Sequence, residues 1–400
     1  MEPTPRHHFL DALRVIAIAV LLFYHTGMLF VGWGWHITNA TTIPALRLPM
    51  DIAHRLRMPL LFVIAGAGLW FAAQRRSGVQ LLAERAQRLL LPVVAGMLLV
   101  VPPQVFVERI SHGQWKGGYL DFYVQRVLRF EPYPAGDFSW HHLWFIVYLF
   151  VYVLLLLPFV RGWRPARALR PGAWLYLLAL PLGINEALLK PHFPETHALV
   201  GDWYTFNHYF SFTAYGVGIA SLRGAWDWFA AWRRVSLAAA VVLLGAGLVL
   251  FEHGIIARDT PADALFANVF TWVWLMVFLG YGRQYLNNES RWLVWAREAS
   301  YPTYILHQTL IIGIGYFVVS TAWSPWLKYW LVLGATAVSC VLLYEGVLRR
   351  FALSRLLFGI KTRDTPAAAR GARVFDTNSV VSVGVQEASA PPLSPRAGRP

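Results

Sequence analysis

Apolar runs of about 20 residues recur along the chain from Ile16 to Val347, separated by shorter segments rich in Arg, Gly and Pro. At 1.5 Å rise per residue, such a run forms a helix that crosses a hydrocarbon core about 30 Å thick. The pattern predicts spans near residues 13–32, 51–73, 89–107, 142–160, 172–190, 206–222, 235–252, 264–282, 300–320 and 326–348. The span at 206–222 is the shortest and opens on polar residues. One soluble domain cannot bury so many apolar runs, so they are expected to face lipid and each other. The fold class that follows is all-α, a polytopic integral membrane protein of about ten transmembrane helices.

The polar segments set an orientation. With a cytoplasmic N-terminus, the even-numbered gaps lie inside. They carry Arg75, Arg76, Arg85 and Arg88, then Arg161, Arg164, Arg167 and Arg170, then Arg223, Arg233 and Arg234, then Arg283, Arg291 and Arg297. The opposite gaps are sparser, with Arg109, Lys116, Arg126 and Arg129 as the exception. Cytoplasmic loops are enriched in Lys and Arg, so both termini are expected inside. The longest gap, near 108–141, mixes charges with Gly, Trp and Tyr and reads as a lid on the outer face. Residues 1–360 form the predicted transmembrane unit. The tail, 361–400, is rich in Ala, Pro, Ser and Gly and is expected to be a disordered cytoplasmic segment.

Composition agrees with this reading. The chain is 57% hydrophobic and 14% charged, against about a quarter charged in soluble domains. Several of the 19 Trp, among them Trp33, Trp35, Trp140, Trp203, Trp292 and Trp326, sit at run ends where an interfacial belt forms. A net charge of +14 raises nucleic acid as a partner. The cations, however, lie in short clusters between apolar runs, so no nucleic-acid partner is expected. Cys340 is the single cysteine and cannot form an internal disulfide. The first run has no small-residue cleavage site after it and reads as a retained helix.

Ionisable residues inside spans are costly and mark candidate chemistry. Arg14 and His25 are eleven residues apart, about three turns, so they share one helix face about 16 Å apart along the axis. A cation at the membrane edge suits an anionic donor, and a deeper histidine suits a general base. The alternative is a snorkelling arginine with a structurally hydrogen-bonded histidine. Asp51, His54 and Arg57 are spaced three apart at the start of the second span. Asp51 would orient His54 or pair with Arg57, or the group is an ordinary polar helix start. Arg85 and Arg88 suit a phosphate, or serve as a positive-inside anchor. Tyr301, Tyr304 and His307 share a face of the ninth span, and His141, His142 and His208 open others. Gly66-Ala67-Gly68 lies in an apolar span and reads as a close helix contact. No zinc-protease helix motif, Walker loop or internal repeat is evident, and no metal or permanently bound cofactor is expected.

The opening FLDALRVIAIAVLLFYH resembles the first helix of the acyltransferase-3 superfamily, in which a basic residue, ten others and a histidine recur. Arg14 and His25 match that spacing, and RAQR (Arg85 to Arg88) matches the family's Arg-x-x-Arg motif. The segments DIAHRLRMPLLFVIAG, ERAQRLLLPV, HLWFIVYL, YILHQTLI and LYEGVLRRFALSRLLFG are similar to the glucans biosynthesis protein C branch, so the resemblance covers roughly residues 6–360. RLRMPLLFVIAG stands where sugar O-acetylating members carry a Gly-Val-Asp segment.

The resemblance implies a multi-pass bacterial inner-membrane O-acyltransferase. Its donor would be acyl-CoA (succinyl-CoA or acetyl-CoA, succinyl foremost), and its acceptor a periplasmic glucan or other carbohydrate. It carries roles to four positions, His25 in catalysis and Arg14, Arg85 and Arg88 in substrate binding. Beside it, from their places in the spans, Asp51 and His54 are expected to assist catalysis, and Arg57, Tyr304 and His307 to bind substrate. A transporter or flippase for a glycan or anionic solute is the competing class, since ten spans with buried charges fit that equally. The oligomeric state is left open, a homo-oligomer included.

Overall fold

A computed structural model describes residues 7–162 and 169–360. Apart from one isolated bridge between Pro132 and Phe138, the described residues form helices and the loops between them. Eight helices are long and apolar enough to cross a membrane: α1 (His8–Met28), α2 (Pro44–Ala73), α3 (Gly78–Ser111), α4 (His141–Gly162), α7 (Ala225–Glu252), α8 (Pro261–Tyr285), α9 (Arg291–Val319) and α10 (Pro325–Leu348). Between α4 and α7 lie α5 (Ala173–Leu189), which is shorter, and α6 (Trp203–Ser221), whose first turns carry Thr205, Asn207 and His208. All ten expected spans are therefore helical. The tail at 361–400 lies outside the described residues.

Local sequence explains where several helices begin. Ser77 and Gln80 cap each other's backbone amides at the start of α3. Thr260, Ser290 and Ser324 accept from the third amide of α8, α9 and α10, and Pro follows the cap in α8 and α10. Helix α3 is not regular. Its turn over Ala86–Leu90 is widened to π geometry, and Val100–Val101 breaks it before Pro102. The widened turn includes Arg88 and directly follows Arg85.

Helix α1 packs against α2, α8 and α9, so the motif helix lies inside the bundle. Helices α7 and α8 pair, α5 joins α8, and α9 pairs with α10. The contact between α2 and α6 is backbone to backbone. A Cβ on Gly66 would lie 2.0 Å from the Thr213 carbonyl oxygen, and one on Gly216 2.1 Å from that of Val63. Gly68 meets nothing within 4 Å, so only the first glycine of the Gly-Ala-Gly segment is a close contact. Gly66→Val is expected to cost at least the 1–3 kcal/mol typical of overpacking. Thermal unfolding in detergent would read this as a lowered Tm, with Gly68→Val as the unaffected comparison.

The segment between α3 and α4 is ordered by charge. Asp137 is buried and accepts from Arg109 Nε and Arg126 Nε, each at 2.6 Å. Arg109 also donates to the carbonyls of Pro134 and Gly136. Two of the four cations that broke the loop-charge asymmetry are thus consumed in folding this segment.

Candidate active site

Two cavities lie inside the bundle. The first, of about 670 Å³, is a chamber at the C-terminal end of α1. The second, of about 280 Å³, lies toward the N-terminal end of α1. Tyr304 on α9 lines both.

His25 from α1 lines the chamber, and the fully buried His307 from α9 lies against it outside the lining. Their rings are nearly parallel, with centroids 4.9 Å apart, and His25 Nδ1 lies 2.7 Å from His307 Nε2. His307 Nδ1 lies 2.6 Å from the Tyr304 carbonyl oxygen. A carbonyl only accepts, so His307 Nδ1 carries the hydrogen and, in the neutral ring, Nε2 is the acceptor. His25 Nδ1–H then donates to it, which leaves the lone pair of His25 on Nε2. The chain of contacts fixes the tautomer that a base or nucleophile at Nε2 requires.

The rest of the wall comes from several elements. Tyr304 OH donates to the His142 carbonyl, and His142 Nε2 donates to that of Ile305 at 2.9 Å, which locks the start of α4 against α9. His54 Nδ1 lies 3.2 Å from the Tyr24 hydroxyl. Arg57 stacks on the same ring, its Cζ 3.5 Å from the centroid, and donates to the Ala53 carbonyl at 3.1 Å. It is 8% exposed, and among the described residues no carboxylate lies within ion-pair distance of it. Its Nε is buried without a hydrogen-bond partner. That leaves the buried guanidinium with donor capacity for an anion.

Between α5 and α6, Glu195 and His197 form a pair at 2.8 Å, and His197 stacks on Trp144 at 4.1 Å. Burial pushes the Glu195 carboxyl up, but the His197 hydrogen bond and charge, with His54 and His208, hold it well below the usual range. A depressed folded pKa stabilises the fold above the unfolded value of about 4.5, and that contribution disappears as the pH falls through the folded value. Glu195→Gln is therefore expected to lower Tm at pH 7 by the equivalent of about 1 kcal/mol. The difference from wild type should shrink as the pH drops below about 4.5, which a pH series of thermal melts would measure.

The second cavity is lined by Arg14, Arg85, Arg88 and Arg297, with no acidic residue in its wall. Asp11 sits beside it and accepts from Arg14 at 3.1 Å and Arg297 at 3.2 Å. Tyr301 OH donates to the Arg88 carbonyl at 3.0 Å, so the widened turn of α3 is fixed to α9. Gly359, at φ +64, closes the cavity where a Cβ would meet Tyr301 at 2.7 Å.

Most of the residues singled out from sequence thus gather at the two cavities that Tyr304 lines: His25, His54 and Arg57 in the chamber, with His307 buried against His25, and Arg14, Arg85 and Arg88 in the arginine cavity. Asp51 does not join them. Residues three apart on a helix are rotated by about 60°, so Asp51 and Arg57 diverge by about 120°. Asp51 lines a separate groove with Arg55, Arg258 and Asp263, away from His54 and Arg57. The spacing did not single out Arg297, His36, Glu108, Glu195 or His197, which reach the cavities from other segments.

An all-helical membrane bundle with this histidine and arginine geometry defines a class. The family model of the acyltransferase-3 domain matches residues 7–345, and the chain belongs to that family of acyltransferases. It is similar to glucans biosynthesis protein C of Escherichia coli O157:H7 and of Escherichia coli strain K12. Each is 23% identical over 396 residues, which is 92% of this chain and the whole of the relative. The protein is accordingly a multi-pass membrane acyltransferase.

Proposed function

We propose that the protein transfers a succinyl group from cytoplasmic succinyl-CoA to a hydroxyl of a periplasmic glucan or related carbohydrate, in the bacterial inner membrane with both termini inside. The observation that carries this reading is the shared Tyr304 wall between an arginine cavity and a histidine chamber. Arg85 and Arg88, with Arg14 and Arg297, hold the phosphates of the donor by charge-assisted hydrogen bonds. The pantetheine arm passes Tyr304, and the thioester carbonyl reaches His25. Arg57 receives the distal carboxylate of the succinyl group. The acceptor enters the chamber from the outer face, where Trp35, Trp140 and Trp144 offer flat surfaces to the C–H faces of a sugar. A volume of about 670 Å³ lies in the range of small-molecule sites.

In the reaction, His25 Nε2 takes the proton of the acceptor hydroxyl as its oxygen attacks the thioester carbonyl. The C–S bond breaks as the ester C–O bond forms. The proton on His25 passes to the departing thiolate, so free CoA leaves on the inner side and the imidazole is restored. His307 keeps the reactive nitrogen pointed at the chamber throughout. The membership of glucans biosynthesis protein C among the relatives supports the choice of acceptor. The test is the purified protein with succinyl-CoA or acetyl-CoA and a glucan. Release of free thiol together with an ester on the glucan supports the reading. A folded protein that neither binds nor consumes any donor overturns it.

A further inference from the structure

We propose that His36, Glu108 and His141 bind one divalent transition-metal ion of the zinc class on the wall of the chamber. One ligating atom from each of the three residues lies within 4.8 Å of the other two. They come from three separate segments: the loop after α1, the end of α3 and the first turn of α4. All three line the chamber, so a fourth coordination position faces the space where substrate enters.

The donor set is the first argument. Two imidazoles and one carboxylate suit zinc in an open site, where three protein ligands leave a position for water or substrate. Tetrahedral ligands at zinc distances sit about 3.4 Å apart. The present spread exceeds that by about 1.4 Å, which rotation of one imidazole closes.

His141 is the ligand whose ring no hydrogen bond holds, and it supplies the second argument. Both of its ring nitrogens are buried with no hydrogen-bond partner. A buried imidazole left this way forfeits its solvation without recompense. Its ring stacks on His36, with centroids 5.1 Å apart, and its backbone is held at φ +41. His36 Nδ1 and Glu108 Oε2 are hydrogen-bonded to each other, so these two donor atoms converge on one point and part to admit an ion between them.

Outer-sphere contacts are the third argument. Tyr133 OH donates to Glu108 Oε1 at 3.0 Å, which leaves Oε2 for the site. The Gln308 amide nitrogen lies 3.3 Å from His36 Nε2 and donates to it, so Nδ1 carries the ring hydrogen toward Glu108; loading an ion moves that hydrogen to Nε2 and turns the amide oxygen to accept it. Metal-binding residues are held by hydrogen bonds of this kind. The other histidine–carboxylate pair of the chamber, Glu195 with His197, has no third ligand of this type within reach among the described residues.

The test uses the full-length protein purified in detergent and stripped with a chelator. Zinc titration by calorimetry is expected to show one equivalent bound with micromolar or tighter affinity. Cobalt should give the visible absorption of a four- or five-coordinate ion, and zinc should raise Tm in a way that chelator reverses. His141→Ala and Glu108→Gln should each weaken binding at least tenfold, while His197→Ala binds as wild type. The His141 side chain makes no hydrogen bond and packs only through ring contacts with His36 and Tyr133, and unchanged helical circular dichroism would verify that its loss leaves the fold intact. Absence of stoichiometric binding by wild type overturns the proposal, as does unaltered affinity in His141→Ala.

Discussion

His25→Ala is expected to lower kcat for acyl transfer by about 10²–10⁴, the range that a positioned general base contributes. Donor binding should be unchanged, because the arginines proposed to hold the phosphates lie in the other cavity. The relay gives a second measurement that a merely structural histidine would not move. His307→Ala leaves His25 Nδ1–H without its acceptor, so the imidazole samples both tautomers and both ring orientations. Its kcat should fall by about tenfold or more, with KM for the donor little altered. Equal loss of donor affinity in His25→Ala would show that the residue holds the fold or the donor, and the base assignment would be wrong. Steady-state kinetics with a direct binding titration separates these outcomes.

The double variant Arg85→Ala/Arg88→Ala should raise the Kd for acyl-CoA by at least 10². Hydrogen bonds to charged groups contribute about 1.5–3 kcal/mol each, and 1.4 kcal/mol is a factor of ten. Two such losses would exceed 10² if added in full, but Arg14 and Arg297 remain and compensate in part. The salt dependence of binding should flatten in the variant, since fewer cations meet the phosphates. Once donor is saturating, kcat should recover toward the wild-type value. A variant whose affinity equals wild type would return these arginines to the role of positive-inside anchors.

Much of this arrangement is legible in the chain because helices convert spacing into direction. Eleven residues place Arg14 and His25 on one face, and three place Arg85 beside Arg88. The same rule fails for Asp51, because a 60° drift per three residues sends it to another groove. The His25–His307 pair is beyond any local rule, since 282 residues separate the partners and only the packing of α9 on α1 joins them. Glu195 and His197 lie in a loop with no periodicity to read. His36, Glu108 and His141 are equally scattered, so a motif search tuned to one helix passes over them.

The Tyr304 wall has an electrical consequence. In the proposed reaction the donor's phosphates stay on one side of it and the acceptor on the other, so of the donor's parts only the acyl group is released to the far side. A succinyl group carries a carboxylate, and moving that charge outward is downhill in a cell whose interior is negative. Crossing the full field is worth about 2.3 kcal/mol per 100 mV. A de-energised membrane would therefore slow the outward delivery of succinyl while leaving a neutral acetyl group indifferent to voltage.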